Sequence, residues 1–325
     1  MKNTKLKYQF LYLFIYITIL LSITGCSGYR SGTATDTEFI LDTVCTVSVT
    51  GASDPGAVIS DAFSLAKDIQ NKIDYYNESS TVSKFNSAPA NSPISLDDDT
   101  FEIIKCALEI SESSGGAFDI TIAPITDLWD FKSDNPVPPN DEQIENALAF
   151  VGYKNLILDV ENKTLAKAKD GIKINLGGCG KGYVCEKITK MINNKYPDAF
   201  VIIDLGGNTG VSGSNPRHKD GHTTVGIQEP FEDSGVYKQT VDIYSGQSVV
   251  TSGTYQRHFY YNDKNYHHII DPESGYPAET GSSSVTVISD SSLLADCLST
   301  ACFVLGEEQG TALAEKYGAD IIWIE

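Results

Sequence analysis

Asp296 and Thr300 stand four residues apart in "SDSSLLADCLSTACFVLG", a run that otherwise reads as an apolar helix built for burial. Positions i and i+4 share a helix face, so a carboxylate and a hydroxyl would stand side by side. Taken alone, the pair reads as a satisfied buried acid beside a hydroxyl bonding back to its own helix. A second candidate is "INLGGCGKGYV", where Gly177, Gly178, Gly180 and Gly182 surround Lys181 ahead of a predicted helix. A glycine-rich turn at a helix N-terminus with a lysine beside it suits a phosphoanion. It is not the phosphate loop of NTPases, which needs a glycine at position 175 and Ser or Thr after the lysine; this chain has Asn175 and Gly182 there. Nor does the spacing of Gly178, Gly180 and Gly182 sit in the regular βαβ unit of a dinucleotide turn. His268, in "HHIIDPESGYP", has an intrinsic pKa suited to proton transfer, although an ordinary strand histidine pair with His267 is the plainer reading.

The elements that would position these residues follow from the pattern. "FILDTVCTVSV" alternates like one strand, and "GAVISDAFSLAKDIQNKIDYY" has helical apolar spacing. A further helix, "DDDTFEIIKCALEISESSGG", opens on acids that suit its dipole and closes on Gly115-Gly116. "LILDVENKTLAKAKDGIKINL" predicts a hairpin turning at Asn162-Lys163, then another strand. Ile174-Asn175-Leu176-Gly177-Gly178 and Ile203-Asp204-Leu205-Gly206-Gly207 are expected to end two strands in the same way, as tight turns or as close approaches to a ligand. Strands dominate from Phe200 to Val287, followed by two helices and the strand "ADIIWIE". With no regular βαβ beat, the fold class is α+β, with mixed or antiparallel sheets and packed helices.

With 325 residues, of which 41% are hydrophobic and 21% charged, the chain can bury a substantial core. Its start differs in kind. Lys2, Lys5 and Lys7 precede an apolar run from Phe10 to Ile23, the pattern of an export signal. The small residues before Cys26 resemble the lipobox of bacterial lipoproteins, which implies cleavage there and a lipid on Cys26. The expected organisation is a signal peptide over 1–25, a polar tether over 26–37 and one domain over 38–325. The protein would be exported and held to the outer side of a bacterial membrane by lipid. A formal net charge of −19 argues against nucleic acid or anionic lipid as partners. The six cysteines after Cys26 form no CxxC pair or His-Cys cluster, and most are expected as buried thiols rather than disulfides.

Six segments, "SGGAFDITIAPITDLWDF", "INLGGCGKGYV", "VIIDLGGN", "VVTSGTYQRHF", "HHIIDPESGYP" and "LLADCLSTACFVLG", resemble in order and approximate spacing the ApbE-type FAD:protein FMN transferases. The resemblance spans roughly Phe39 to Glu325. It implies the ApbE-like fold and an Mg²⁺-dependent reaction in which a threonine hydroxyl of an exported acceptor protein takes FMN from FAD and AMP leaves. It also implies metal ligation by Asp296, Thr300 and the carbonyl of Gly178, an oxygen set that suits Mg²⁺. FAD contacts are implied for Leu41, Tyr76, Ala117, Phe118, Asp119, Asn175, Lys181, His268 and Ile270. Lys181 would neutralise the diphosphate, His267 would point away, and the proton acceptor would be His268 or Asp119. Three positions depart from the common pattern: Asn175 for Asp, Asp42 for Gly and Glu186 for Asp, which bear on affinity and leave the ligands in place. An FAD-splitting hydrolase and a non-catalytic FAD-binding lipoprotein are the alternatives.

Overall fold

The computed structural model describes residues 32–325; the stretch expected as a signal peptide and Cys26 lie outside the described residues. In chain order come β1 (Gly32–Ile40), β2 (Thr43–Ala52), α1 (Pro55–Ile73), α2 (Thr81–Ser87), β3 (Ile94–Ser95) and α3 (Asp98–Ser113). Then follow α4 (Ala123–Trp129), α5 (Asp141–Leu148), β4 (Leu156–Asp159), β5 (Thr164–Lys167) and α6 (Gly180–Lys195). The strand-rich part holds β6 (Phe200–Leu205), β7 (Asn208–Ser212), β8 (Thr223–Gln228), β9 (Tyr237–Ile243), β10 (Ser248–Gly253), β11 (His258–Tyr261), β12 (Lys264–His267) and β13 (Ser284–Ser289). Helices α7 (Ser292–Leu305) and α8 (Glu307–Lys316) and strand β14 (Asp320–Ile324) close the chain.

One antiparallel sheet, in the order β1-β2-β6-β7-β10-β13-β14, organises the molecule. Its side chains alternate between two faces, as the pleat requires. Val47, Val49, Val201, Ile203, Val285 and Val287 point into the main core, while Phe200, Val211 and Val249 form a smaller core with Ile243. Helices α1, α6 and α7 pack on the first face. Helix α1 begins with Asp54 accepting the N–H of Ala57 and Pro55 in its first turn, and buries Val58, Ala62, Phe63, Ala66 and Ile69, one stripe at helical spacing. Helix α7 is apolar nearly all round because the sheet, α3 and α6 all pack on it. Among the described residues, no helix is long and apolar enough to cross a membrane. All six described cysteines are free, and all but half-buried Cys106 are buried, as expected of small apolar side chains.

Three local expectations are corrected. The single strand over Phe39–Val49 is a hairpin, because Leu41 and Asp42 turn the chain with left-handed φ values of 55° and 58°. No glycine signals this turn; side chains from elsewhere fix it. Gln70 Oε1 accepts the Leu41 N–H at 2.6 Å, and Arg257 donates to the Asp42 carbonyl at 3.0 Å. Consequently β1 begins at Gly32, inside the stretch expected as a tether. The segment "IKINL" forms no strand and joins no sheet. The Ile174 N–H and carbonyl bond instead to the Asn86 side chain at 2.8 and 3.0 Å, and the Asn175 N–H reaches the Ile120 carbonyl. Buried Lys167 fastens the same region by donating to the carbonyls of Phe85, Asn86 and Ile172. The two Leu-Gly-Gly echoes also differ: Gly206 and Gly207 take φ of 62° and 94° in the β6–β7 turn, whereas Gly177 and Gly178 lead into α6 without positive φ.

Candidate active site

A cavity of about 1410 Å³ opens where the β1–β2 turn, the end of α1, the segment before α4 and the glycine-rich turn before α6 converge. Leu41, Tyr76, Ala117, Phe118, Asp119, Asn175, Gly178, Lys181, His268, Ile270 and Thr300 all line it. Residues from across the sequence thus meet in one place. Asp296 lies just behind the wall at 4% exposure.

Glycine makes this approach possible. A methyl group on Gly182 would lie 2.2 Å from the Ser292 carbonyl oxygen and 2.6 Å from Asp296 Cβ, so only glycine lets the first turn of α6 rest on α7. That contact lets the Gly182 N–H donate to Asp296 Oδ2 at 2.7 Å and fixes the carboxylate. The other oxygen, Oδ1, accepts no hydrogen bond among the described residues and stands 3.8 Å from Lys181 Nζ. Thr300, one turn along, places Oγ1 3.5 Å from Ser252 Oγ, and a methyl on Gly178 would come within 3.9 Å of that same Oγ1. A carboxylate oxygen with open acceptor capacity, a hydroxyl and a nearby backbone segment fit a hard divalent cation. Among the described residues, no group of three or more His, Cys, Asp or Glu side chains gathers as a metal cluster, so a cation here would rest on this mixed oxygen set.

Asp119 lines the cavity, but its carboxylate is engaged elsewhere. Oδ1 accepts from the Thr121 N–H at 2.7 Å and its hydroxyl at 2.6 Å, and Oδ2 accepts from the Tyr153 N–H at 2.7 Å. It caps the short turn over Ile120–Ile122. Burial raises its pKa against these hydrogen bonds, and the three of them commit the carboxylate to holding the turn over Ile120–Ile122 and the Tyr153 backbone, a structural duty that stands beside its expected role as a base. Half-buried His268 is better placed. Its Nδ1 lies 3.2 Å from the Arg257 carbonyl oxygen, which can only accept, so Nδ1 carries the proton and Nε2 holds the free lone pair. Burial, then Arg257, His267 and Lys181, push its pKa down to about 3. His267 points away, as expected: it is buried, with Nε2 3.1 Å from the Ala278 carbonyl oxygen.

Tyr76 stands 67% exposed at the cavity mouth, edge-on to Tyr75, with Lys132 Nζ 4.8 Å from its ring centroid. Lys132 also pairs with Asp42 at 2.6 Å, joining the β1–β2 turn to the segment after α4. Asn175 turns its Oδ1 back to accept the Gly177 N–H at 2.8 Å, shaping the glycine turn from within. The lining residues Gln70, Lys132, Ser252 and Arg257 were not expected as site residues. Ser252 and Arg257 lie inside "VVTSGTYQRHF", so the signal was present as a motif; Gln70 and Lys132 carry no local signature.

The sequence profile of the ApbE family matches residues 41–323. A Klebsiella pneumoniae protein named FAD:protein FMN transferase is 33% identical over 269 residues, covering 82% of this chain and 82% of the relative. A Treponema pallidum protein of the same name is 29% identical over 326 residues, covering 95% of this chain and 90% of the relative. Among solved structures, the ApbE protein of Thermotoga maritima is similar with a TM-score of 0.81 and 32% identity, over 90% of this chain and 94% of its own. The apo form of the Pseudomonas stutzeri flavinyl transferase ApbE is similar with a TM-score of 0.77 and 27% identity, over 92% of each chain.

Proposed function

The chain belongs to the ApbE family, and from that premise we propose that it transfers the FMN half of FAD to a threonine hydroxyl of an exported acceptor protein, releasing AMP. The observation that carries this reading is the meeting of Lys181, Asp296 and Thr300 beside the glycine turn at one end of a cavity large enough for a dinucleotide.

In this reading the threonine oxygen forms a bond to the FMN-side phosphorus of FAD while the bond from that phosphorus to the bridging oxygen breaks, and AMP departs with that oxygen. Lys181 holds the diphosphate by charge, and the glycine turn lets the backbone come close to it. His268 takes the hydroxyl proton at Nε2, because Nδ1 faces the Arg257 carbonyl and Nε2 keeps the free lone pair. Bound Mg²⁺, held by Asp296, Thr300 and the Gly178 carbonyl, would supply positive charge to the transferring phosphoryl oxygens. The Gly182 N–H keeps the Asp296 carboxylate oriented for that task. The lipid anchor on Cys26 belongs to the same proposal and would keep the enzyme at the membrane face where exported acceptors pass.

The deciding experiment mixes the chain from Ser27 onward with FAD, Mg²⁺ and an exported acceptor, reading intact mass and AMP. The expected result is an acceptor heavier by one FMN phosphoester, with the adduct lost in Asp296→Ala. AMP without adduct would make the protein an FAD hydrolase, and bound but intact FAD would make it a carrier.

A further inference from the structure

A row of aromatic rings starts where the cavity opens and runs outward over the surface. Phe231, 52% exposed and held at a left-handed φ of 61°, stands edge-on to Tyr255 at 6.0 Å and to His258 at 5.7 Å. His258 is in turn edge-on to Tyr260 at 5.6 Å, and Tyr260 is 64% exposed. Single exposed aromatics are ordinary, but a connected row marks a surface that meets something. The row is continuous with the cavity: Ser234, on the same loop as Phe231, lines the cavity, as do Gln256 and Arg257 between Tyr255 and His258.

Charge narrows the occupant. The chain has 43 acidic side chains against 24 Lys and Arg, yet exposed Arg257 has no carboxylate partner among the described residues. Its described hydrogen bond goes to the backbone carbonyl of Asp42. An arginine left with donors to spare at an aromatic-rimmed opening is complementary to a carboxylate. FAD inside the cavity cannot cover a row that leads away from it, whereas a macromolecule that inserts one hydroxyl must rest the remainder of its chain outside.

We infer that Phe231, Tyr255, His258 and Tyr260, with Arg257, form the docking surface for the acceptor protein. This rests on the transferase reading. The acceptor lies across the rings with apolar side chains, in an extended segment whose threonine enters the mouth and whose nearby carboxylate meets Arg257.

The test compares Phe231→Ser and Tyr260→Ser with the unsubstituted enzyme. The acceptor is the exported domain that carries FMN on threonine in the same cell, expressed without flavin. Each substitution is expected to raise the KM for acceptor about tenfold or more, while the KM for FAD and the melting temperature stay unchanged. Converting the acceptor carboxylates nearest its threonine to amides should raise the acceptor KM similarly. Transfer by both variants with an unaltered acceptor KM would overturn the inference. A change in oligomeric state with no change in acceptor KM would also overturn it, assigning the row to a second copy of this chain. If the unsubstituted enzyme transfers nothing, the transferase reading itself fails, and the inference with it.

Discussion

Asp119 shows how a residue can sit at the right place for chemistry and be committed to something else. The described hydrogen bonds of its carboxylate are all to Thr121 and to the Tyr153 backbone, so its loss should read as a folding defect. In Asp119→Asn the new amide must face either the Tyr153 or the Thr121 N–H, donor against donor. The substitution should lower unfolding stability by about 2 kcal/mol. The kcat of the folded enzyme should fall far less than the roughly 10²–10⁴-fold expected from losing a general base. Urea unfolding and single-substrate kinetics on the same sample check both halves. The sequence made the Asp296 and Thr300 pairing legible because helical spacing alone puts them on one face. It hid the duties of Asp119, which depend on a backbone N–H at position 153, and it hid Gln70, whose partner is an N–H on a turn that no glycine announces.

At the scale of elements, the contact between α6 and α7 decides whether the site exists. Gly182→Ala places a methyl against the Ser292 carbonyl and Asp296 Cβ, and should cost about 3 kcal/mol. Both the melting temperature and FMN transfer should drop. Gly178→Ala is the contrasting case, because its methyl meets only the Phe118 ring edge at 3.2 Å and Thr300 Oγ1 at 3.9 Å. It should change stability by less than about 1 kcal/mol while weakening FMN transfer by crowding the oxygen set around Thr300 and Asp296. Thermal melts beside transfer assays separate the two. Helices α1 and α3 were legible because caps, first-turn residues and apolar spacing agree. The strand expected over "IKINL" was not realised because Asn86, Lys167 and Ile120 take up backbone groups that a sheet neighbour would have used.

The whole molecule depends on a sheet whose first strand begins earlier than its composition suggests. β1 pairs with β2 from Gly32 to Ile40, and its outward face carries a ladder of hydroxyls: Thr35 to Ser48 at 3.0 Å and Thr37 to Thr46 at 3.1 Å. Such a polar edge discourages pairing with other chains. A chain starting at Gly32 should therefore melt like the longer protein and stay monodisperse. One starting at Glu38 should be less stable and associate, because most of the β2 edge is uncovered; melting and size-exclusion profiles of the two starts decide it. The polarity that makes residues 32–37 read as a tether is the same polarity that protects the edge.

The free cysteines carry a consequence for how the protein ages. Burial pushes the Cys45 thiol up to about 11 and those of Cys185 and Cys302 to about 12, and the thiolate is the form that peroxides, electrophiles and disulfides attack. Near neutral pH these sulfurs are shielded twice, by protonation and by the packed core. For these three sulfurs, attack by an oxidant or electrophile therefore waits on an opening of the core, so its rate should follow how often the core opens.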